Sequence, residues 1–186
     1  ISNNLFLGDK LDVLESGRVR QDVSSPLKIT DMIAAGVNHS CVLGIAGYVV
    51  CWGDNTFGQT DVPALSNPTQ VSAGNGYSCA IDDSGVVCWG DSADGKTVVP
   101  PLTNPTQVSA GDSYACAIDG TNVVCWGLRQ TGVPTPLTNP TQISVGNGHT
   151  CVIDGASVVC WGDNTFGQTD VPALSNPTQV SAGNGH

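Results

Sequence analysis

The triplet Cys-Trp-Gly occurs four times, at Cys51, Cys88, Cys125 and Cys160, at intervals of 37, 37 and 35 residues. A period of this length marks one supersecondary unit repeated along the chain, which buries its apolar surface only by stacking on its neighbours. The consensus runs Asn-Pro-Thr-Gln, Val or Ile, Ser, Ala or Val, Gly, two variable residues, His or Tyr, a small residue, Cys, a turn, then Val-Val-Cys-Trp-Gly. The first copy is degenerate before Gly36, and a fifth starts at Asn176. Residues 51–76 and 160–185 are identical over all 26 positions, as recent duplication within a longer array would leave them.

All eight cysteines belong to the repeat, as Cys41 with Cys51, Cys79 with Cys88, Cys116 with Cys125 and Cys151 with Cys160, separated by 10, 9, 9 and 9 residues. In CAIDDSGVVC, short apolar strands flank turn chemistry, so the cysteines face each other across an antiparallel hairpin. Directly opposed side chains approach closely enough for a disulfide. Gly120-Thr121 and Gly155-Ala156 suit two-residue turns, and the longer first hairpin leaves Ile45-Ala46-Gly47 as a three-residue loop with Gly47 left-handed. Zinc is the competing reading, but its paired cysteines stand two to four residues apart and close with a second pair. The spacing therefore predicts disulfides and no metal. Disulfides persist in oxidising compartments, which places the protein outside the cell or on its surface.

Alternation puts Cys79, Ile81, Val86 and Cys88 on one face of the hairpin and Ala80, Val87 and Trp89 on the other. A sheet apolar on both faces must be covered on both, as radially stacked small sheets are. Trp52, Trp89, Trp126 and Trp161 are thus expected in the core, one per unit. Pro68, Pro105, Pro140 and Pro177 stand at strand entrances, where a missing N–H is tolerated, and three or four short strands per unit are expected. The 23 Gly, 11 Pro and 12% charged residues agree with an all-β chain of short strands and turns and exclude a helical bundle.

The formal net charge of −10 argues against a nucleic-acid partner. No apolar run is long enough for a membrane-spanning helix. The first residue is Ile and no signal-like segment follows, so any secretion signal is expected to be already removed or never included.

The pattern Ala-Gly-x-x-His-Ser/Thr-Cys, a hairpin, then Cys-Trp-Gly-Asp-Asn-x-x-Gly-Gln resembles the repeat of the regulator of chromosome condensation (RCC1-like) family, in the cysteine-bearing form of secreted bacterial proteins. Gly36, His39, Cys41 and Trp52 to Gln59 carry the likeness in the first unit, and Gly146, His149, Cys151 and Trp161 to Gln168 in the fourth. Units two and three drift: the second has DSADGK and the third, WGLRQTGVP, is shorter by two residues. The resemblance implies a β-propeller or propeller segment, which in this family closes with about seven blades. Four units and a fraction imply part of a longer array, a small ring, or a piece completed by another copy. The family spans a nucleotide-exchange factor on chromatin and a secreted inhibitor of β-lactamase, so the fold alone leaves function open.

The chain divides at this level into an N-terminal arm, closing strand or linker, residues 1–28, and tandem propeller repeats, residues 29–186. The arm holds Lys10, Arg18, Arg20 and Lys28, four of the six basic residues, and LGDKLDVLESGRV fits a hairpin or a short helix. His39, His149 and His186 share one repeat position with Tyr77 and Tyr114, which favours packing or a strand-end hydrogen bond over catalysis. Asp82, Asp119 and Asp154 precede hairpin turns, where carboxylates accept backbone N–H bonds. Asp91 to Gly95 lacks the alternating ligands of a calcium loop. Asn38-His39-Ser40 is the only glycosylation sequon. The loops Asp54, Asn55, Phe57, Gln59 and Asp163, Asn164, Phe166, Gln168 are the candidate contact surface, with the aromatic rings as anchors; the alternative is that the rings pack between blades while Asn and Gln satisfy turn backbone. The expectation is a secreted, non-enzymatic binding or adhesion module without cofactor, directed at a protein or glycan. A structural subunit of a self-associating extracellular filament or surface assembly is the alternative, and a hydrolase or enzyme inhibitor the third.

Overall fold

The computed structural model describes residues 11–13, 19–21, 32–128 and 132–184. The chain divides into two compact units, Ile1–Thr30 and Asp31–His186. In the first, β1 (Leu11–Val13) and β2 (Val19–Gln21) pair antiparallel, with Leu11 opposite Gln21, so the described part of this segment is strand rather than helix. The remaining residues of the expected arm lie outside the described residues.

The second unit consists of four three-stranded antiparallel sheets, the blades of a β-propeller. They are β3 to β5 (Met32–Ala35, His39–Gly44, Tyr48–Gly53), β6 to β8 (Gln70–Ala73, Tyr77–Asp82, Gly85–Gly90), β9 to β11 (Pro105–Ala110, Tyr114–Asp119, Asn122–Gly127) and β12 to β14 (Pro140–Val145, His149–Asp154, Ser157–Gly162). Each middle strand pairs with an inner strand before it and an outer strand after it in sequence. Cys41, Cys79, Cys116 and Cys151 lie directly opposite Cys51, Cys88, Cys125 and Cys160. All four pairs are bonded, with Cα separations of 4.0 to 4.1 Å. The pairing of Asp119 with Asn122 and of Asp154 with Ser157 leaves two-residue turns led by Gly120 and Gly155, and Gly47 ends a three-residue turn at φ +75°.

The cores lie between blades. The Tyr-Cys-Ile face of one blade, with Tyr77, Cys79 and Ile81, packs on the Val-Ala-Trp face of the next, with Val108, Ala115 and Trp126. Tyr114, Cys116 and Ile118 meet Ile143, Val152 and Trp161 in the same way. Cys41 meets Val71, Ala80 and Trp89. Trp89, Trp126 and Trp161 are buried, but Trp52 is 49% exposed. The expectation of four core tryptophans is therefore corrected at Trp52. A tryptophan is covered by the loop and linker of the preceding unit, Val62 and Leu65 for Trp89, and among the described residues no such linker precedes Trp52. Residues 177–184 repeat 68–75 letter for letter yet form no strand, because among the described residues no middle strand pairs with them.

The inner strands are joined by side chains. Gln70 donates through Nε2 to the Val108 carbonyl at 3.0 Å and accepts from the Val108 N–H at 2.8 Å, as a strand backbone would. Ser72 accepts from the Ala110 N–H at 2.9 Å. Gln107 and Ser109 likewise accept from the Ile143 and Val145 N–H groups, and Gln142 and Ser144 from those of Val180 and Ala182. The Gly74, Gly111, Gly146 and Gly183 carbonyls accept from the Val37, Asn75, Asp112 and Asn147 N–H groups of the unit before. At Gly74 a Cβ would sit 2.4 Å from the Gly111 carbonyl, so the backbones approach to a distance only glycine allows.

Candidate functional site

In every blade the inner-to-middle turn and the end of the outer strand share one end of the sheet, since Tyr77 opposes Gly90 and Tyr114 opposes Gly127. Backbone bonds tie the two together: the Asp54, Asp91, Leu128 and Asp163 N–H groups donate to the Asn38, Gly76, Ser113 and Gly148 carbonyls at 2.8 to 2.9 Å. The loops after the outer strands and the turns about the axis therefore form one face, and the hairpin turns form the other.

The loop 54–61 is closed by its own polar groups. Asp54 Oδ1 accepts from the Thr56 N–H at 3.2 Å and the Thr56 hydroxyl at 2.6 Å, while Gln59 Nε2 donates to Asp54 Oδ2 at 2.8 Å. The Phe57 N–H donates to Gln59 Oε1 at 2.9 Å, and Asn55 bridges by donating to Asp61 at 2.9 Å and accepting from the Thr60 N–H at 3.0 Å. Gly58, at φ +80°, allows the reversal. The loop 163–170 repeats the Asp163-Thr165, Phe166-Gln168 and Asn164-Asp170 bonds. The Thr56 and Thr165 hydroxyls, ahead of the backbone donors, hold the carboxyls of Asp54 and Asp163 below the usual carboxylate range.

Asn and Gln thus satisfy turn backbone, while the aromatic rings are not enclosed between blades. Phe57 is 56% and Phe166 80% exposed. One edge of the Phe57 ring lies 3.3 Å from where a Cβ on Gly76 would sit, which sets the loop of the first blade against the axis turn of the second. Gln59 is fully buried, and its carbonyl accepts from Trp89 Nε1 at 3.0 Å and from the Ser78 hydroxyl at 3.1 Å.

In the second unit Lys96 stands where Gln59 stands in the first. Its carbonyl accepts from Trp126 Nε1 at 2.9 Å, and its buried ammonium meets Asp91 at 2.7 Å, donates to the Asn75 carbonyl at 3.3 Å and lies 5.4 Å from the Tyr77 ring centre. The Lys96 side-chain bond, then the Ala93 N–H, lowers the Asp91 pKa. Alignment of WGDNTFGQ with WGDSADGK places Lys96 against Gln59 in the sequence, but one replacement amid four gives no hint that it is buried.

The aspartates beside the hairpin turns tie blade to linker. Asp119 accepts from the Thr103 and Asn104 N–H groups, Asp154 from those of Thr138 and Asn139, and Asp82 from those of Ser66 and Ser84. His39 is buried, with Nε2 2.8 Å from the Ser78 hydroxyl; Tyr77 donates to the Tyr114 carbonyl at 2.7 Å, and the Tyr114 hydroxyl meets Thr150 at 2.9 Å. His149 is buried, and His186 lies outside the described residues. Asn38 is exposed. Among the described residues no group of three His, Cys, Asp or Glu could hold a metal ion, and no helix is long and apolar enough to cross a membrane.

Blades braced by a disulfide hairpin, sharing one core per neighbour and displaying loops at one end, define a β-propeller of the cysteine-bearing repeat type. Residues 29–59, 69–96 and 141–168 match the regulator of chromosome condensation (RCC1) repeat, so the chain carries RCC1-type repeats. The third unit escapes that match yet forms a blade of the same topology. No curated protein sequence is a significant match. Among solved structures, the CRINKLY WD40 ectodomain of the Arabidopsis thaliana receptor kinase ACR4 is 32% identical, with a TM-score of 0.59 over 70% of this chain and 49% of that one. The ectodomain of the Physcomitrella patens receptor kinase CR4 is 27% identical, with a TM-score of 0.65 over 77% and 41%. Prp20p of Saccharomyces cerevisiae, at 19% identity and a TM-score of 0.62 over 76% and 45%, shares the fold. The chain spans less than half the length of each of these three.

Proposed function

We propose that the protein is an extracellular, non-enzymatic interaction module that binds a protein partner through the loops of its blades. The observation that carries this reading is the loop DNTFGQTD, present twice without change, whose polar groups are spent on its own closure while its aromatic ring stays exposed. A loop held rigid by internal bonds loses little entropy when it binds, and an aromatic ring is the side chain that most often anchors a protein interface. Four disulfides fit an oxidising compartment, and the receptor-kinase ectodomains are similar structures that face the cell exterior. The test is an array of secreted and cell-surface ectodomains probed with the labelled chain. Partners bound by the native chain and by an Ile45→Ala variant, whose change lies at the opposite end of the blade, and lost by the Phe57→Ala/Phe166→Ala double variant, support the reading. Partners held equally by the double variant sink it. Eight free thiols in natively isolated protein would remove the extracellular setting.

A second reading, self-association, is favoured by one observation: Ile33 is 62% exposed where Val71, Val108 and Ile143 are 1 to 5% exposed, and Trp52 is uncovered on the same blade. A neighbouring blade from a second copy would cover both. Native mass measurement that finds only monomer at about micromolar concentration, where standard interfaces are populated, removes this reading.

A further inference from the structure

We propose that the partner element recognised by the loop face is cationic, with Arg or Lys side chains stacking on Phe57 and Phe166. This deepens the reading that blade loops make the contacts, and rests on it. Of the ten large apolar side chains that stay exposed among the described residues, Val37, Phe57, Val98, Leu128 and Phe166 sit on loops at this one end, whereas Ile45, Met32 opposite Leu43, and Leu174 at the linker position of Leu65 lie toward the hairpin end. Patches of this kind on a soluble protein mark contact sites. The charge beside the rings is of one sign. Asp54 and Asp61 flank Phe57, and Asp163 and Asp170 flank Phe166. Lys96 is the one Lys or Arg among the described residues of the repeat unit, and it is buried against Asp91. The loops 54–61 and 163–170 themselves carry no Lys or Arg to compete with an incoming cation.

An aromatic face attracts a cation through its quadrupole, and nearby carboxylates add to the attraction. Carboxylates alone collect any counterion; the ring supplies the preference for an organic cation with a flat or aliphatic body. Units two and three carry neither ring, so the two identical loops present two matching sites on one scaffold, three units apart in sequence. A partner with several cationic side chains engages both, and the second contact then forms at high effective concentration.

The probe is a fluorescein-labelled (Arg-Gly-Ser)7 peptide, titrated with the full chain at physiological ionic strength and read by anisotropy. Phe57→Ala and Phe166→Ala each weaken binding by about two- to five-fold, and the double variant weakens it by about the product, while Ile45→Ala leaves it unchanged. All of these substitutions conserve net charge, so a Kd that is the same for every variant shows attraction to bulk negative charge and overturns the proposal. If an ectodomain partner is still lost by the double variant in that event, the interaction reading stands without the cationic preference. If neither the peptide nor any ectodomain responds to the rings, both readings fall.

Discussion

At the position shared by His39, Tyr77 and Tyr114, two kinds of side chain do one job, which is to reach a polar group of the next blade from inside the core. His39 meets the Ser78 hydroxyl much as Tyr114 meets that of Thr150. The two differ in how they respond to acid. Burial lowers the His39 pKa, with Asp54 opposing it more weakly, so the folded state takes up its proton at lower pH than the unfolded chain does. The stability this site contributes is therefore complete above about pH 6.5 and lost as pH falls through the lower folded value. His39→Tyr supplies a hydroxyl and removes the titration. Its melting temperature matches the native chain's at pH 7.5 and exceeds it increasingly below about pH 6.5; parallel curves for the two proteins contradict this assignment. The sequence made the exchange of His with Tyr visible, and with it the packing role. The partner was not legible, because it lies one whole repeat away, at Ser78 and Thr150, among small residues of no distinctive pattern.

The blade itself was the most legible element. Cysteine separation, turn glycines and alternation are local quantities, and they specified the register from Cys41–Cys51 to Cys151–Cys160. Replacing Cys79 and Cys88 together by Ser removes one short covalent loop and costs about 2 to 3 kcal/mol in chemical denaturation; an unchanged midpoint would show that the hairpin needs no brace. The clasp between blades was not legible. Gln70 and Ser72 read as ordinary polar alternation on an inner strand, and nothing nearby in the sequence marks Val108 and Ala110 as their partners. Yet the Gln70 amide satisfies both backbone groups of Val108, a residue 1% exposed. Gln70→Ala leaves those groups buried without that partner, so it destabilises by about 1 to 3 kcal/mol in a urea titration, whereas a surface glutamine costs less than about 0.5 kcal/mol. The first unit has Met32 and Ala34 at these positions, so the clasp does not act from the first blade onto the second.

Across the whole molecule, stability is distributed over the interfaces between blades, because each apolar cluster draws residues from two units. The period gave this stacking. It left Trp52 in the core, since periodicity assigns every copy the same surroundings and the surroundings of a terminal copy differ. Charge acts at the same scale. The chain carries 16 acidic against 6 basic residues, and the single Lys among the described residues of the repeat unit is already paired, so long-range repulsion between aspartates opposes compaction. Mild acid does not relieve it: hydrogen bonds hold Asp54, Asp82, Asp119 and Asp163 ionised below the usual carboxylate range, and Lys96 does so for Asp91. These aspartates lose their charge only as pH falls below about 3.9, where the same bonds, and the stability they bring, are lost together. Screening by salt relieves the repulsion without that loss. Raising sodium chloride from about 0.01 to 0.15 M shortens the Debye length from about 30 to 8 Å, so repulsion between exposed charges farther apart than that is screened while bonded pairs are affected less. The melting temperature at pH 7 therefore rises over this interval, while moving from pH 7 to pH 5 at low salt brings no such gain. A melting temperature that falls with salt would mean that attraction between Asp91 and Lys96, and between carboxylates and their donors, outweighs the repulsion of the whole.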